Sequence, residues 1–376
     1  MHIAFLNYVY EKRFRTPADL LTRYAVIPQW CTAVRRAGAS KVSVVQRFGV
    51  QEQFTHDDVD YSFFHDNLGP SPHWWQTPAE LHRFLAGLSP DIIHLNGIVH
   101  FAQDLRNAVG PHVPILWQSH TNGAPRYVAR WFWKRNLQSV NGALFVSKEQ
   151  AKPLHIRNIL PKDIPIYEVP VSTSSFEPLP YQNCRMKLGM QDQDVFLWVG
   201  NLTSNKDPLT ILHGFVQVLH GNNKAHLYMI YGSTELLTKI QRYVEQLSLT
   251  ARVHLLGYIP HDLLPQYYSA ADFFVSGSLN EVNGFALMEA LACGVTPLVA
   301  DNPAFSKITK NGVIGSLWRR GNPAEFARSA IRSKPTLSDR NAVISFFRTH
   351  YSIAVIGSTA YTIYDHAYRH RAHMTT

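Results

Sequence analysis

Cysteine is scarce in this 376-residue chain, and its three cysteines, Cys31, Cys184 and Cys293, lie far apart. Because no C-x-x-C pair is present, a zinc site is not expected, and an odd number of widely spaced thiols argues against a disulfide scaffold. Scarce cysteines of this kind are typical of a reducing compartment. We therefore expect three free thiols and a cytoplasmic protein.

Long apolar runs are also missing. No stretch approaches the 18 or so apolar residues of a membrane span, so none is expected. The apolar residues near the N-terminus stop at the charges of residues 11–13, unlike those of a secretory signal. No Walker A pattern is present and no G-x-G-x-x-G follows a strand, which excludes a P-loop and weakens a dinucleotide-binding interpretation.

Charge is modest in amount but biased in sign. Lys and Arg number 36 against 27 Asp and Glu, for a net charge of +9. This excess favours an anionic partner such as a nucleotide, a phosphate-bearing lipid, an anionic membrane face or nucleic acid. Simple solubility explains it equally well. Because no recognised nucleic-acid-binding module is present, we expect no nucleic-acid partner.

Short apolar segments alternate with helical patterns along two stretches of the chain, and 376 residues suit two domains. Between them, residues 173–192 are polar and interrupt the alternation. The pattern predicts two α/β domains with parallel sheets, facing a cleft, and ligand binding at the carboxyl ends of the strands. The predicted strands are 2–9, 41–48, 89–97, 113–120, 141–147, 164–171, 194–200, 225–232, 252–259, 272–278 and 296–300.

One chemically suggestive stretch is "SGSLNEVNGFALMEALACGVTPLVAD", residues 276–301. Its pattern predicts a strand, a loop with Glu281, and a helix that starts near Phe285 after Gly284. The first amides of such a helix attract phosphate, and Glu281 and Glu289 would then meet hydroxyl groups of the same ligand. The alternative is a solvated loop residue and a carboxylate that merely suits a helix start. Phe285, Met288 and Leu291 are predicted to be core.

A second such stretch is "FLWVGNLTSNKDPLTIL", residues 196–212. A predicted strand ends at Gly200, and Lys206 stands just before a helix whose first position suits Pro208. A lysine in this place meets phosphate as a point charge. The alternative is a solvated surface lysine.

Together these stretches, with "VHLLGYIPHDLLPQYYSAAD" and the late "YSIAVIGSTAYTIY", resemble the retaining glycosyltransferases of family 4 (glycosyl transferases group 1). The resemblance covers about 194–303 and the final helix, and extends only weakly through "PDIIHLNG", "WQSH" and "ALFVS". It implies a GT-B fold with an acceptor-side domain at 1–172, a linker at 173–192, a nucleotide-sugar domain at 193–350, and a helix at 351–376 that packs back on the N-terminal domain.

The resemblance also implies roles for individual residues. Glu289 would bind the ribose and Glu281 the sugar hydroxyls, Lys206 would neutralise the diphosphate, and His120 would line the donor sugar. The implied catalytic residues are Glu281, His120 and Lys206. The implied donor-binding residues are Glu289, Lys206, Asn201, Gly200, Tyr258, Ile259, Gly284, Phe285, Ala286 and Leu287, with backbone amides of the helix tip on the distal phosphate and Tyr258 and Ile259 against the base.

The implied activity is transfer of a sugar, with retention, from a UDP- or GDP-linked donor to the hydroxyl of a glycan, a lipid-linked or a small acceptor, in bacterial polysaccharide or glycoconjugate synthesis. No metal or other cofactor is expected, since no D-x-D motif follows a predicted strand. A peripheral place at the inner membrane face is consistent with the charge. The alternatives are another GT-B activity, such as an inverting transferase or an epimerase, and a catalytically silent nucleotide-sugar-binding protein.

Three departures from the family pattern motivate the silent alternative. Asn201 stands where the family usually has arginine, Val282 and Asn283 replace a glycine and a phenylalanine, and "EKRFRTPADLLTRY" (11–24) stands where a glycine pair is usual. Lys206 alone, or Arg23 or Arg126, would have to supply the missing cation.

Two aromatic segments of the N-terminal half allow two interpretations each. "RYVARWFWKR" (126–135) suits either a helix at an anionic membrane or, as we favour, a core-facing aromatic stripe with a solvated basic edge. "PSPHWWQTP" (70–78) suits an acceptor-side loop or a buried turn.

Overall fold

The computed structural model describes residues 1–10, 15–23, 26–69, 72–73, 76–120, 123–125, 127–170, 173–333 and 336–370. The side chain of Arg23, the residues Arg126, Trp74 and Trp75, and the loop positions 11–14 lie outside this description. The described strands are β1 His2–Asn7, β2 Lys41–Arg47, β3 Glu52–His56, β4 Val59–Phe64, β5 Ile92–Asn96, β6 Ile115–Gln118, β7 Gly142–Phe145, β8 Ile166–Glu168, β9 Asp194–Gly200, β10 Ala225–Tyr231, β11 Val253–Gly257, β12 Phe273–Ser276, β13 Thr296–Ala300 and β14 Ser316–Trp318.

Helices connect most of these strands. They are α1 Pro17–Arg23, α2 Val26–Arg36, α3 Ala79–Gly87, α4 Ala102–Val109, α5 Val128–Leu137, α6 Lys152–Ile156, α7 Tyr181–Leu188, α8 Pro208–Gly221, α9 Leu237–Gln246, α10 Leu264–Ala270, α11 Phe285–Ala292, α12 Pro303–Ile308, α13 Pro323–Arg332, α14 Leu337–Tyr351 and α15 Ile353–Arg369. Among the described residues, none of these helices has the length and apolarity needed to cross a bilayer.

The chain divides into two compact units, Met1–Val171 with Ile353–Thr376 (unit 1) and Ser172–Ser352 (unit 2). The residues predicted as a linker, 173–192, therefore belong to unit 2, and they include α7, which packs against α10. Each unit has its own sheet, wholly parallel in unit 2 and parallel but for one strand pair in unit 1, which confirms the predicted fold class of two α/β domains.

Unit 1 is built on an eight-stranded sheet in the order β3-β4-β2-β1-β5-β6-β7-β8. All pairs are parallel except β3 with β4, an antiparallel hairpin whose turn holds Asp57 and Asp58, both with positive φ. The sequence pattern did not reveal this hairpin. The helix predicted at 26–38 is α2, and its expected core residues Ile27, Trp30, Ala33 and Val34 are all buried.

The last helix, α15, completes unit 1 by packing on α2. A Cβ on Gly357 would lie 2.6 Å from the backbone of Ala33, so only glycine permits this approach. The buried hydroxyl of Tyr364 accepts a hydrogen bond from Trp30 Nε1 (3.1 Å) and lies 2.6 Å from His94 Nδ1. The final helix therefore returns to the N-terminal unit, as the resemblance implied.

Unit 2 is built on a six-stranded parallel sheet in the order β11-β10-β9-β12-β13-β14. From β9 the chain adds β10 and β11 on one side of the sheet. It then crosses to β12 and adds β13 and β14 on the other side. The strand order thus reverses between β9 and β12, and in open α/β sheets ligands bind outside the carboxyl ends of the strands at such a point. The loops that follow β9 and β12 carry Lys206 and Glu281.

Candidate functional site: the crevice between β9 and β12

The two loops at the carboxyl ends of β9 and β12 are joined through their backbones. Leu279 N donates to Asn205 O (2.8 Å), and Asn205 exchanges two side-chain hydrogen bonds with the backbone of Asn280. A Cβ on Gly277 would lie 2.8 Å from the carbonyl oxygen of Asp207, so glycine is needed for the loops to approach this closely. The paired loops hold the ends of the two strands at a fixed spacing.

Lys206 and Glu281 meet across these loops, with Lys206 Nζ 2.5 Å from Glu281 Oε2. Their side chains are 28% and 15% exposed, so the pair is largely shielded but still reaches solvent. Asp207 follows in a left-handed conformation, and its carboxylate caps α8 by accepting from Thr210 N at 3.3 Å. The cap orients the short turn that carries Lys206.

The tip of α11 presents unpaired backbone donors beside Glu281. The helix begins after Gly284, and no side-chain hydrogen bond caps it. Because the first amides of a helix have no intrahelical acceptor, those of Phe285, Ala286 and Leu287 could serve an anion. The prediction that Phe285 is core is wrong: its side chain is 43% exposed because it occupies the first helical position, whereas Met288 and Leu291 are fully buried.

Glu289, on the next turn of α11, is held by two partners. Tyr268 donates its hydroxyl to Glu289 Oε2 (2.8 Å), and His261 Nε2 lies 2.9 Å from Glu289 Oε1. The hydrogen bond to Glu289 raises the pKa of His261 above its ordinary value, against the opposing effect of burial, and Asp262 adds a smaller increase. Glu289 is thus held in one orientation, and its Oε1 contacts the ring of His261, whose side chain is largely exposed.

The remaining residues implied for donor binding lie at strand ends of the same sheet. Gly200 ends β9, and the exposed Asn201 follows it. Tyr258, 74% exposed, and Ile259 follow the end of β11 at Gly257. These positions are all at the carboxyl edge of the unit 2 sheet.

His120 belongs to unit 1, just after β6. Its Nε2 lies 2.6 Å from Asn96 Oδ1, at the end of the neighbouring strand β5. Burial lowers the pKa of His120 to about 4, so its ring is neutral near pH 7. A neutral ring whose Nε2 donates to Asn96 leaves Nδ1 as an acceptor.

Sequence reasoning missed His261, Tyr268 and Asn205 as parts of this site. Tyr268 and His261 contact Glu289 from 21 and 28 residues away. Tyr268 is fully buried. The spacing of the apolar residues around it predicted a helix, but not a contact with Glu289. Of the three residues, Asn205 would have been the easiest to predict, because it directly precedes Lys206.

Two parallel-sheet units with this strand order and this crevice define the GT-B fold. Solved structures agree at low identity: the Anabaena HepE protein, crystallised with UDP and glucose, matches with a TM-score of 0.71 at 14% identity over 97% of this chain and 100% of its own. Sucrose-phosphate synthase of Thermosynechococcus elongatus matches with a TM-score of 0.69 at 17% identity, over 98% and 99% of the two chains.

The sequence of the second unit is also similar to a known family. Residues 182–334 match the family model described as "Glycosyl transferases group 1", which confirms the resemblance for this part of the chain. Alpha-monoglucosyldiacylglycerol synthase of Streptococcus pneumoniae is 29% identical over 135 residues, which are 36% of this chain and 30% of that protein. The matched stretch thus spans about a third of that curated relative.

Proposed function

We propose that this protein is a glycosyltransferase that moves a sugar from a nucleoside diphosphate sugar to an acceptor hydroxyl, with retention of anomeric configuration. The observation that carries the proposal is a cluster at the carboxyl ends of β9 and β12. Lys206, Glu281 and the uncapped tip of α11 meet there. This crevice offers a cation and helix amides for a diphosphate and carboxylates for hydroxyl groups. The curated relative and the HepE structure support sugar transfer and UDP chemistry.

In this proposal the donor lies along the crevice. The distal phosphate faces the amides of Phe285 and Ala286, where the helix dipole favours negative charge. Lys206 turns from Glu281 towards the diphosphate and stabilises the charge that develops as the bond to the sugar breaks. Glu281, released from the ion pair, accepts hydrogen bonds from the sugar hydroxyls, and Glu289 accepts them from the ribose. Tyr258 and Ile259 lie against the base, and the donor-side loop of Gly200 and Asn201 borders the phosphates.

We assign no enzymic nucleophile. The acceptor oxygen attacks the face from which the diphosphate departs, and the leaving phosphate oxygen takes the acceptor proton. His120, with its neutral ring, is proposed to accept or donate a hydrogen bond to a sugar hydroxyl. No metal ion or other cofactor enters the proposal, because Lys206 and the helix amides hold the diphosphate. We place the reaction in the cytoplasm, in bacterial polysaccharide or glycoconjugate synthesis.

The proposal is tested first by screening UDP-, GDP- and ADP-linked sugars for thermal stabilisation, since a ligand that binds only the folded state raises the melting temperature with its concentration. With the donor found, Glu281→Gln should lower kcat/KM by about a hundredfold or more, a loss typical of one transition-state contact. Glu235→Gln, an exposed glutamate of the same unit, is the control and should match the wild type. Unchanged turnover in Glu281→Gln would overturn the site assignment.

Retention is tested separately by the anomeric configuration of the first-formed product, read by proton NMR. An inverted product would reject the retaining mechanism while leaving donor binding intact.

A silent nucleotide-sugar-binding protein is the second candidate function, and it rests on Asn201. This exposed amide stands where the resemblance places an arginine, so the crevice has one cation fewer for the leaving phosphate. Stabilisation by a nucleotide sugar without hydrolysis or transfer would favour it.

A further inference from the structure

The outer side of α5 carries aromatic and basic side chains in alternation. Four residues of α5 share the spacing of one helix face, namely Arg130, Trp131, Lys134 and Arg135. Tyr127 stands just before the first turn, and we call the five residues the outer α5 face. Tyr127 is 88% exposed and Trp131 61%. The Arg135 guanidinium lies over the Trp131 ring, 5.9 Å from its centre. Two large rings thus stand in solvent among three cations.

The inner side of the same helix is fixed to unit 1. Leu137 is fully buried, Trp133 packs edge-on against the buried Trp117 at 5.9 Å, and Phe132 contacts His100. The expectation of an aromatic stripe in the core therefore holds for Trp133 but is wrong for Trp131. Since the core contacts are made by the inner side, packing within the unit does not explain the exposed rings.

A third large apolar side chain extends the outer α5 face. Ile156, the last residue of α6, is 84% exposed. Arg130 donates to the carbonyl oxygen of Arg157, and Arg157 donates to that of Ala124 at 3.0 Å. These bonds hold the end of α6 beside the first turn of α5, so that Ile156 borders the same surface.

The charge of this region is concentrated and of one sign. Residues 121–162 contain eight lysines and arginines and a single acidic residue, Glu149, so they carry most of the chain's net charge of +9. Glu149 is itself paired with Lys152. The region therefore attracts anions with little competing negative charge.

We propose that the outer α5 face, together with Ile156, docks on an anionic lipid bilayer. The aromatic rings and the isoleucine would enter the headgroup region, and the arginines and lysines would meet the lipid phosphates. Exposed apolar side chains beside several cations, in a region whose single acidic residue is paired with Lys152, match the chemistry of such an interface. This inference does not depend on the proposed catalytic activity.

A bilayer suits this surface better than a nucleic acid. Stacking on bases accounts for exposed tryptophan and tyrosine among arginines, but it gives no use for an aliphatic side chain that is 84% exposed. Insertion at a lipid surface uses all three apolar groups.

The test is co-sedimentation of the full chain with vesicles of phosphatidylcholine, with and without phosphatidylglycerol. We expect binding to the anionic vesicles that weakens with added salt. Trp131→Ser combined with Ile156→Ser should weaken it by about tenfold or more, and Arg135→Ser alone by about fivefold. Val313→Ser with Leu337→Ser is the matched control, since these side chains are 74% and 63% exposed in unit 2, and it should bind as the wild type does.

Circular dichroism melts of all variants confirm that the chains are folded. Failure of the wild type to bind anionic vesicles would overturn the proposal, as would equal binding by the Trp131/Ile156 variant. Binding to a labelled single-stranded oligonucleotide that this variant loses, without vesicle binding, would reassign the surface to nucleic acid and also overturn it.

Discussion

At the scale of single residues, the contacts of Glu289 decide how a ribose could enter the crevice. Both of its carboxylate oxygens already have a protein partner, the hydroxyl of the buried Tyr268 and the ring of the more exposed His261. Tyr268 serves as a fixed support. His261 is the partner that a ligand can displace, because most of its side chain faces solvent.

The state of His261 should therefore affect donor affinity. Its pKa is raised by Glu289, so at acidic pH the ring is charged and competes with the ribose for Oε1. As pH rises through this raised pKa the charge is lost, and the nucleotide sugar should bind about threefold to tenfold more tightly, because a charge-assisted hydrogen bond is stronger than a neutral one. Affinities measured at about pH 6 and about pH 8 check this.

His261→Gln is the informative variant for this prediction, since it keeps a neutral donor and cannot titrate. Its affinity should vary little with pH. The same pH dependence in this variant as in the wild type would show that another group is responsible.

Individual site residues were predictable where the signal was local. Lys206 and Glu281 lie in the loops that follow β9 and β12, two strands with a clear apolar pattern, and parallel strands bring such loops to one edge of the sheet. The His261–Glu289 contact joins positions 28 residues apart, and one histidine among 19 gives no pattern. Phe285 was assigned to the core because it is apolar, although the first position of a helix faces outward here.

At the scale of elements, the start of α11 depends on Gly284. This residue has φ +64°, and a Cβ there would lie 2.7 Å from Ile308 Cδ1. Gly284→Ala should lower the free energy of unfolding by about 2–4 kcal/mol, from left-handed strain and overpacking together. Gly189, with φ +66° and no atom near its Cβ position, separates the two causes, and Gly189→Ala should cost about 1 kcal/mol.

Urea unfolding of the two alanine variants measures both costs. Equal losses would mean that Ile308 moves aside freely and that the helix tip is less rigid than the contacts suggest.

Strands with a compact apolar pattern were predictable, but burial alone was not enough, since β4 was missed although five of its six residues are buried. The strands β9 and β13 have the predicted bounds, because each is a compact apolar run between polar turns. The hairpin strand β3 was not predicted, because four of its five residues are exposed. The strand β14 was also missed, because it is only three residues long. Edge strands with little buried surface give a weak sequence signal.

At the scale of the whole molecule, unit 1 encloses three histidines that burial keeps neutral. Burial lowers the pKa of His82 and His120 to about 4 and that of His94 to about 3. Below about pH 6.5 the unfolded chain binds protons that the folded unit does not, so stability should fall with decreasing pH down to these folded values. Three such groups give a slope that is small at about pH 7.5 and approaches roughly 4 kcal/mol per pH unit at about pH 5.

Urea unfolding between about pH 7.5 and about pH 5 checks this slope. His94→Gln should reduce it by about 1.4 kcal/mol per pH unit, the share of one group, whatever its effect on stability at neutral pH. His213→Gln, an exposed histidine of unit 2, should leave the slope unchanged. An equal slope in the wild type and His94→Gln would contradict the prediction.

The return of α15 to unit 1 could be expected only from the resemblance. Its aromatic residues show that the helix packs on something, but the contact of Tyr364 with Trp30 spans 334 residues. The periodicity of a helix reveals which side is buried and not which element covers it.

The central claim is that the crevice between β9 and β12 binds a nucleoside diphosphate through Lys206. Isothermal titration calorimetry of UDP and GDP with the wild type, Lys206→Met and Lys239→Met tests it most directly, since Lys239 is an exposed lysine of the same unit. We predict binding by the wild type and by Lys239→Met, and at least about tenfold weaker binding by Lys206→Met. Equal affinity in all three proteins, or no binding of either nucleotide by the wild type, would contradict the account.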